Sequence, residues 1–95
     1  MTGPVPARLE IEGELTIISA AEHHERLLRF LTGGPDLEIG LSGVIELDTA
    51  GLQVLLMARR EAQRRALRLR LTDHSPAVRD VLALAWLTPD LEAAA

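Results

Sequence analysis

The sequence predicts an α/β domain: a mixed sheet of four to five strands with helices packed on it, in the order ββαβαβα. Short segments that alternate apolar and polar residues are separated by longer segments with apolar residues at helical spacing. Strands separated by helices favour parallel pairing, and an opening hairpin adds an antiparallel pair. The 95 residues, of which 47% are hydrophobic, suffice for one domain with a modest core.

The first part of the chain is predicted to form a hairpin followed by a helix. Residues 9–12 alternate apolar and polar side chains, and residues 15–18 are expected to pair back with them across a Gly-Glu turn. Ser19 is a suitable N-cap for a helix that continues to about Leu31, where a Thr-Gly-Gly-Pro segment ends it. On this helix we expect His24 to project towards the apolar face.

The rest of the chain alternates strands and helices. Residues 37–41 predict a third strand, and residues 42–47 continue it into a loop. A second helix is expected from Asp48 or Thr49 to about residue 65, and residues 67–72 predict a fourth strand. Ser75 as N-cap and Pro76 at the first helical position predict a third helix, after which Trp86 would close the core.

The predicted domain covers residues 9–87. Residues 1–8 are expected to form a flexible N-terminus, and residues 88–95 a frayed tail.

Composition and charge argue against several classes of function. The formal net charge of −4 disfavours non-specific binding to nucleic acid. The chain has no cysteine, and its three histidines do not have the spacing of a metal site or a catalytic site. We see neither a signal peptide nor an apolar run long enough to span a membrane. We therefore expect a cytoplasmic, non-enzymatic protein without metal or cofactor and without direct membrane insertion.

The segment Asp48-Thr49-Ala50-Gly51 between the third strand and the second helix carries most of the functional information. Asp48 can serve as the N-cap of the helix, with Thr49 in its first turn. Gly51 lowers helix propensity by roughly 1 kcal/mol relative to alanine, which suggests a close backbone approach. The residues alone leave a structural cap and a regulated site equally open.

The second helix has one face of small and apolar residues, which suits packing on a sheet, and an opposite face that carries Gln53, Met57 and Arg60. A methionine among charged residues indicates either an adaptable contact in a partner interface or a solitary exposed apolar side chain.

A nucleotide site is the first alternative, because Asp-Thr-Ala-Gly also occurs in Ras-like GTPases. Such a site needs a phosphate-binding loop of the form G-x-x-x-x-G-K-[ST]. The chain has no such loop and contains no lysine, since its ten basic residues are all arginine. A GTPase of this type is excluded.

The strand and helix around this segment resemble a known family. Residues 41–56 read LSGVIELDTAGLQVLL and, with the Leu-Arg-Leu strand and the Ser-Pro-Ala-Val helix start, resemble the STAS domain over about residues 9–87. That family includes bacterial anti-sigma factor antagonists, which take part in signal transduction by partner switching. The resemblance implies a domain that binds a signalling protein through the loop before the second helix and the start of that helix. The implied interface consists of Asp48, Thr49, Ala50, Gly51, Gln53, Met57 and Arg60.

The chain departs from the family pattern at the phosphorylated position. Partner-switching members have Ser or Thr immediately before the glycine, where this chain has Ala50. Thr49 is the remaining nearby hydroxyl and hence the candidate phosphorylation site. The resemblance leaves open three kinds of protein partner: an anti-sigma factor kinase of the histidine-kinase type, a chemotaxis-type signalling protein, and a lipid-transport ABC ATPase of which the chain would be an accessory subunit. A nucleotide-sensing STAS module and a homodimer also remain open.

Overall fold

Three parallel strands alternate with three helices along residues 5–85, the part of the chain that the computed structural model describes. The elements are β1 (Ala7–Leu15), α1 (Ala20–Phe30), β2 (Asp36–Leu47), α2 (Thr49–Arg64), β3 (Arg68–Thr72) and α3 (Pro76–Ala85). The strands lie in the order β1-β2-β3 within one sheet. The predicted α/β fold is confirmed, although the sheet has three strands over these residues instead of four or five.

The predicted opening hairpin is wrong. Residues 9–15 belong to the single strand β1, which runs parallel to β2 along its whole length. Gly13 has a φ angle of 80° but does not reverse the chain, because it lies at an irregularity in the ladder, opposite Val44. β1 ends at Leu15, and the next residues form a turn in which the Ser19 N–H donates to the Thr16 carbonyl over 3.0 Å. The antiparallel pair that the hairpin would have supplied is therefore missing from residues 5–85.

β2 extends further than predicted. Residues 42–47 were expected to leave the sheet as a loop, but they remain in the strand until Leu47. The pairing with β1 shifts register twice, and each shift places one additional residue in β2. These two bulges allow the longer strand to stay paired with a shorter neighbour.

The helix boundaries follow the predictions closely, but only two of the three predicted caps form. The Asp48 carboxylate caps α2, and the Ser75 hydroxyl accepts a hydrogen bond from the Val78 N–H over 3.2 Å at the start of α3. The Ser19 side chain does not cap α1. Its hydroxyl donates instead to the Glu14 carbonyl over 2.7 Å, at the end of β1.

The hydrophobic core lies between the three helices and one face of the sheet. Leu37, Ile39 and Leu41 of β2 are buried there together with side chains from each helix. The opposite face of the sheet is polar. Arg8 forms ion pairs there with the carboxylates of Glu10, Glu38 and Asp73. A parallel sheet is usually covered on both faces, and none of the three helices within residues 5–85 packs on this polar face.

Residues 1–4 and 86–95 lie outside the described residues. The predicted role of Trp86 and the predicted frayed tail therefore remain predictions, as do the domain boundaries, although β1 begins two residues before the predicted start. None of the helices within residues 5–85 has both the length and the apolar character that crossing a bilayer requires.

Candidate functional site

Asp48 joins the start of α2 to the turn that follows β1. Its Oδ1 accepts a hydrogen bond from the Gly51 N–H over 2.9 Å, which is the predicted N-cap. Its Oδ2 accepts a hydrogen bond from the Ile17 N–H, also over 2.9 Å. The hydrogen bonds from Gly51 and then Ile17 stabilise the charged form and lower the pKa of the Asp48 carboxyl group. Asp48 therefore fixes both segments that border the site.

Gly51 is buried beneath this turn. A Cβ atom at residue 51 would collide with the carbonyl oxygen of Leu15 and would lie 2.8 Å from Leu47 Cδ1. The close backbone approach predicted for Gly51 is therefore confirmed. Its proposed place in a partner interface needs correction, because the residue is covered by the end of β1. Gly51 positions the surface without forming part of it.

The other predicted interface residues differ in their exposure. Thr49, Gln53 and Arg60 are exposed along α2, whereas Ala50 is half-buried. Met57 is also half-buried and packs against the core, so it offers less accessible surface than its charged neighbours suggested. The accessible part of the predicted interface consists of the helix start at Thr49 and a polar stripe that follows it.

Three exposed isoleucines border the same site, and the sequence did not single them out. The exposed fraction is 71% for Ile17, 85% for Ile18 and 74% for Ile45. Ile17 and Ile18 follow the end of β1, and Ile45 lies near the end of β2, the neighbouring parallel strand. All three therefore lie at the edge of the sheet from which α2 begins. The two residues at 17 and 18 had been assigned to a strand, where one of them would have been buried.

His23 stabilises the turn after β1 that contains Ile17 and Ile18. It is the buried histidine of α1, and its Nε2 lies 3.2 Å from the Glu14 carbonyl oxygen. His24, which was expected towards the apolar face as a hydrogen-bonded boundary residue, is half-buried, and its neighbour His23 is buried. The Ser19 hydroxyl donates to the same carbonyl. Two side chains that follow the turn, Ser19 and His23, thus hold it against the end of β1.

The metal-binding side chains of residues 5–85 do not gather into any group of three or more that could hold an ion. Asp48 uses both carboxylate oxygens for backbone N–H groups, as described above. What the site offers is an exposed hydroxyl and exposed apolar side chains on a fixed backbone, which suits contact with another macromolecule.

Comparison with known proteins gives one family and several structures. The family model described as "Mlab, STAS domain" matches residues 2–89. No curated protein matches the chain. A proposed anti-sigma factor antagonist from Thermotoga maritima is similar to the chain with a TM-score of 0.78 and 23% identity, over 90% of this chain and 74% of that one.

Two further solved structures have the same fold. The anti-sigma factor antagonist SpoIIAA in its unphosphorylated form gives a TM-score of 0.62 at 20% identity, over 81% of this chain and 72% of that one. A sulfate transporter family protein from Wolinella succinogenes gives a TM-score of 0.72 at 19% identity, over 96% of this chain and 75% of that one. At these identities, the structures establish similarity of fold.

Proposed function

Because this chain belongs to the family of Mlab-type STAS domains, we propose that it is a non-enzymatic regulatory domain that binds a signalling protein. The proposed partner is an anti-sigma factor kinase or a chemotaxis-type protein in the cytoplasm. The contact surface consists of exposed Thr49 and Gln53 on α2 and exposed Ile17 and Ile18 after β1. We call these four residues the docking surface. Arg60, two turns further along α2, lies at its margin.

The bidentate role of Asp48 is the observation that carries this proposal. One carboxylate holds the start of α2 and the turn after β1 in a fixed relationship, with 2.9 Å hydrogen bonds to each. Exposed apolar side chains that lie close together mark interaction surfaces, and a preorganised surface loses less entropy on binding. The arrangement therefore favours recognition of a protein over chemistry on a small substrate.

The residue at position 50 determines how such a complex would be regulated. Ala50 has no hydroxyl, so the position that partner-switching relatives phosphorylate cannot accept a phosphoryl group here. Thr49 is exposed and remains the candidate acceptor. A phosphate on Thr49 would be attracted by the positive end of α2 but repelled by the neighbouring Asp48. We propose that the domain binds its partner constitutively unless Thr49 is modified.

The test is capture of a candidate signalling partner by variants of the docking surface. Thr49→Arg places a long charged side chain at an exposed position and should weaken capture by at least about tenfold, since one clash in an interface can cost more than about 1.4 kcal/mol. Thr32→Arg is the matched control, because Thr32 is an exposed threonine just after α1. Both variants should unfold at the same temperature as the unmodified protein. Equal capture by both variants would show that the partner binds elsewhere.

A second candidate function is that of an accessory subunit of a lipid-transport ABC ATPase. The combination of an exposed Thr49 with Ala50 favours it, because the resemblance implies that the threonine of an Asp-Thr-Ala-Gly segment contacts the ATPase. In this case the domain should co-purify with an ABC ATPase and change its turnover, and Thr49→Arg should abolish the change. A nucleotide-sensing role predicts instead that GTP or ATP shifts resonances of the isolated domain in a titration.

A further inference from the structure

Ile45 is exposed at the site of a bulge in β2. Val44 is paired with Gly13 and Glu46 with Glu14, so Ile45 is the additional residue between them. Val44 is buried, whereas Ile45 and Glu46 are both exposed, which breaks the usual alternation of a strand. A bulge can redirect a side chain in this way, and bulges are frequent next to functional sites. The fold thus places a large apolar residue in solvent beside the docking surface.

Two glutamates lie beside this isoleucine. Glu14 and Glu46 are directly opposite each other on β1 and β2, and both are exposed. Neither side chain forms an ion pair with another residue between positions 5 and 85. Like charges opposite each other on neighbouring strands destabilise a sheet. A partner that supplies positive charge would remove this repulsion.

From the positions of these side chains we infer that the partner presents an apolar surface bordered by arginine or lysine. The apolar surface covers Ile17, Ile18 and Ile45, and the basic side chains neutralise Glu14 and Glu46. This inference rests on the proposed function and specifies the chemistry of its partner. Apolar area would supply affinity, and complementary charge would supply specificity and a faster association rate.

Charge disfavours two other occupants of the same surface. In a symmetric dimer the patch would face its own copy, so that the two glutamates of one chain would meet those of the other. An anionic lipid surface would repel the same carboxylates. A basic, apolar protein surface is the occupant that both the isoleucines and the glutamates fit.

The test is nuclear magnetic resonance of the intact chain with labelled isoleucine methyl groups. The chain has five isoleucines: Ile17, Ile18 and Ile45 are exposed, whereas Ile11 and Ile39 are fully buried and serve as internal references. The probes are an amphipathic peptide of leucine and arginine and a matched peptide in which glutamate replaces each arginine. The arginine peptide should shift the three exposed signals and leave the two buried ones in place, and the glutamate peptide should bind at least about tenfold more weakly.

A pair of double variants separates a specific charge contact from general attraction to an acidic protein. Glu14→Gln with Glu46→Gln should weaken binding of the arginine peptide by about tenfold. Glu22→Gln with Glu25→Gln removes the same charge from exposed positions of α1 and should change binding by less than about twofold. Ile45→Ser should weaken binding while the protein remains folded, as judged by the Ile11 and Ile39 signals.

Several results would overturn the inference. The first is equal affinity of the protein for the two peptides. The second is an equal loss of affinity for the arginine peptide in the two double variants. The third is peptide binding that leaves the exposed isoleucine signals unchanged. If neutral phosphatidylcholine vesicles broaden the exposed isoleucine signals, the surface binds lipid instead. If these signals shift with protein concentration in the absence of peptide, the surface binds a second copy of the chain. If Thr49→Arg prevents partner capture while the peptides fail to discriminate, the proposed function stands and the inferred partner chemistry is wrong.

Discussion

The carbonyl oxygen of Leu15 occupies the space that a Cβ atom on residue 51 would need, so the end of β1 and the first turn of α2 can meet only if residue 51 is glycine. The neighbouring Asp48 N–H points to the same carbonyl oxygen, over 3.4 Å. The docking surface therefore depends on a contact between two backbones, which no rearrangement of side chains can replace.

Gly51→Ala should destabilise the domain by about 3 kcal/mol, towards the upper end of the cost of overpacking, because backbone atoms must move to admit the methyl group. The gain in helix propensity of roughly 1 kcal/mol would not offset this cost. Thr49→Ala, at an exposed position in the same helical turn, should change the free energy of unfolding by less than about 0.5 kcal/mol. Urea unfolding of both variants provides the measurement. Similar midpoints for the two would contradict the tight contact.

The contribution of Asp48 to stability should depend on pH. The pKa of its carboxyl group is lowered in the folded state by the hydrogen bonds from Gly51 and Ile17. The resulting stabilisation is therefore complete above the ordinary aspartate pKa of 3.8 and is lost as the pH falls from there through the lowered native pKa.

Asp48→Asn should reduce stability at neutral pH, because an amide has only one oxygen to accept the two N–H groups. Below pH 3.8 the difference between this variant and the unmodified protein should shrink. Asp80→Asn, at an exposed position of α3, is the control for the removal of one aspartate charge. Urea unfolding across this pH range measures both differences. A difference between Asp48→Asn and the unmodified protein that stays constant with pH would mean that the carboxylate charge is not what holds the two segments.

The elements that the sequence predicted correctly are those governed by neighbouring residues. The cap at Asp48 and the cap at Ser75 each depend on an N–H group three residues ahead, which a local pattern can indicate. The turn after β1 depends on distant residues instead. The apolar residues Ile17 and Ile18 are typical of a strand, yet the Ile17 N–H donates to the carboxylate of Asp48, 31 residues later in the chain.

The site was predicted only in part for the same reason. Helical periodicity placed Gln53 on the outer face of α2, and Gln53 is exposed, whereas Met57 of the same face is half-buried. The consecutive exposure of Ile45 and Glu46 results from the bulge in β2, and the position of that bulge depends on the pairing with β1. Because residues 42–47 were predicted to form a loop, the direction of the Ile45 side chain could not be predicted. The burial of Gly51 likewise depends on Leu15, a residue of another element.

Arg8 should stabilise the open face of the sheet in a manner that depends on salt. Its guanidinium group lies 2.8 Å from carboxylate oxygens of both Glu38 and Asp73 and also pairs with Glu10. Arg8→Gln would leave three carboxylates close together without the cation between them, so the loss of stability should be larger at low than at high ionic strength. Arg68→Gln is the matched control, since Arg68 pairs only with Asp36, at 3.6 Å, among the residues described. Urea midpoints for the two variants at low and high sodium chloride provide the measurement. An Arg8→Gln effect that is independent of salt would indicate lost packing of the side chain instead of lost charge.

Ala50→Ser should restore the hydroxyl that partner-switching relatives phosphorylate. Residue 50 is half-buried in the first turn of α2, where serine is well tolerated, so the variant should fold normally. With an anti-sigma kinase partner and ATP, the variant should gain a phosphoryl group and dissociate, because the added charge would lie beside Asp48 within the interface. Binding should weaken by at least about tenfold, whereas the unmodified protein should remain bound.

Intact-mass spectrometry and a pull-down with and without ATP provide the two readouts. Adding Thr49→Ala to the variant removes the native hydroxyl and locates the modification. If the unmodified protein is itself phosphorylated and released, and Thr49→Ala alone abolishes both effects, Thr49 is the acceptor and the switch has moved by one residue along α2.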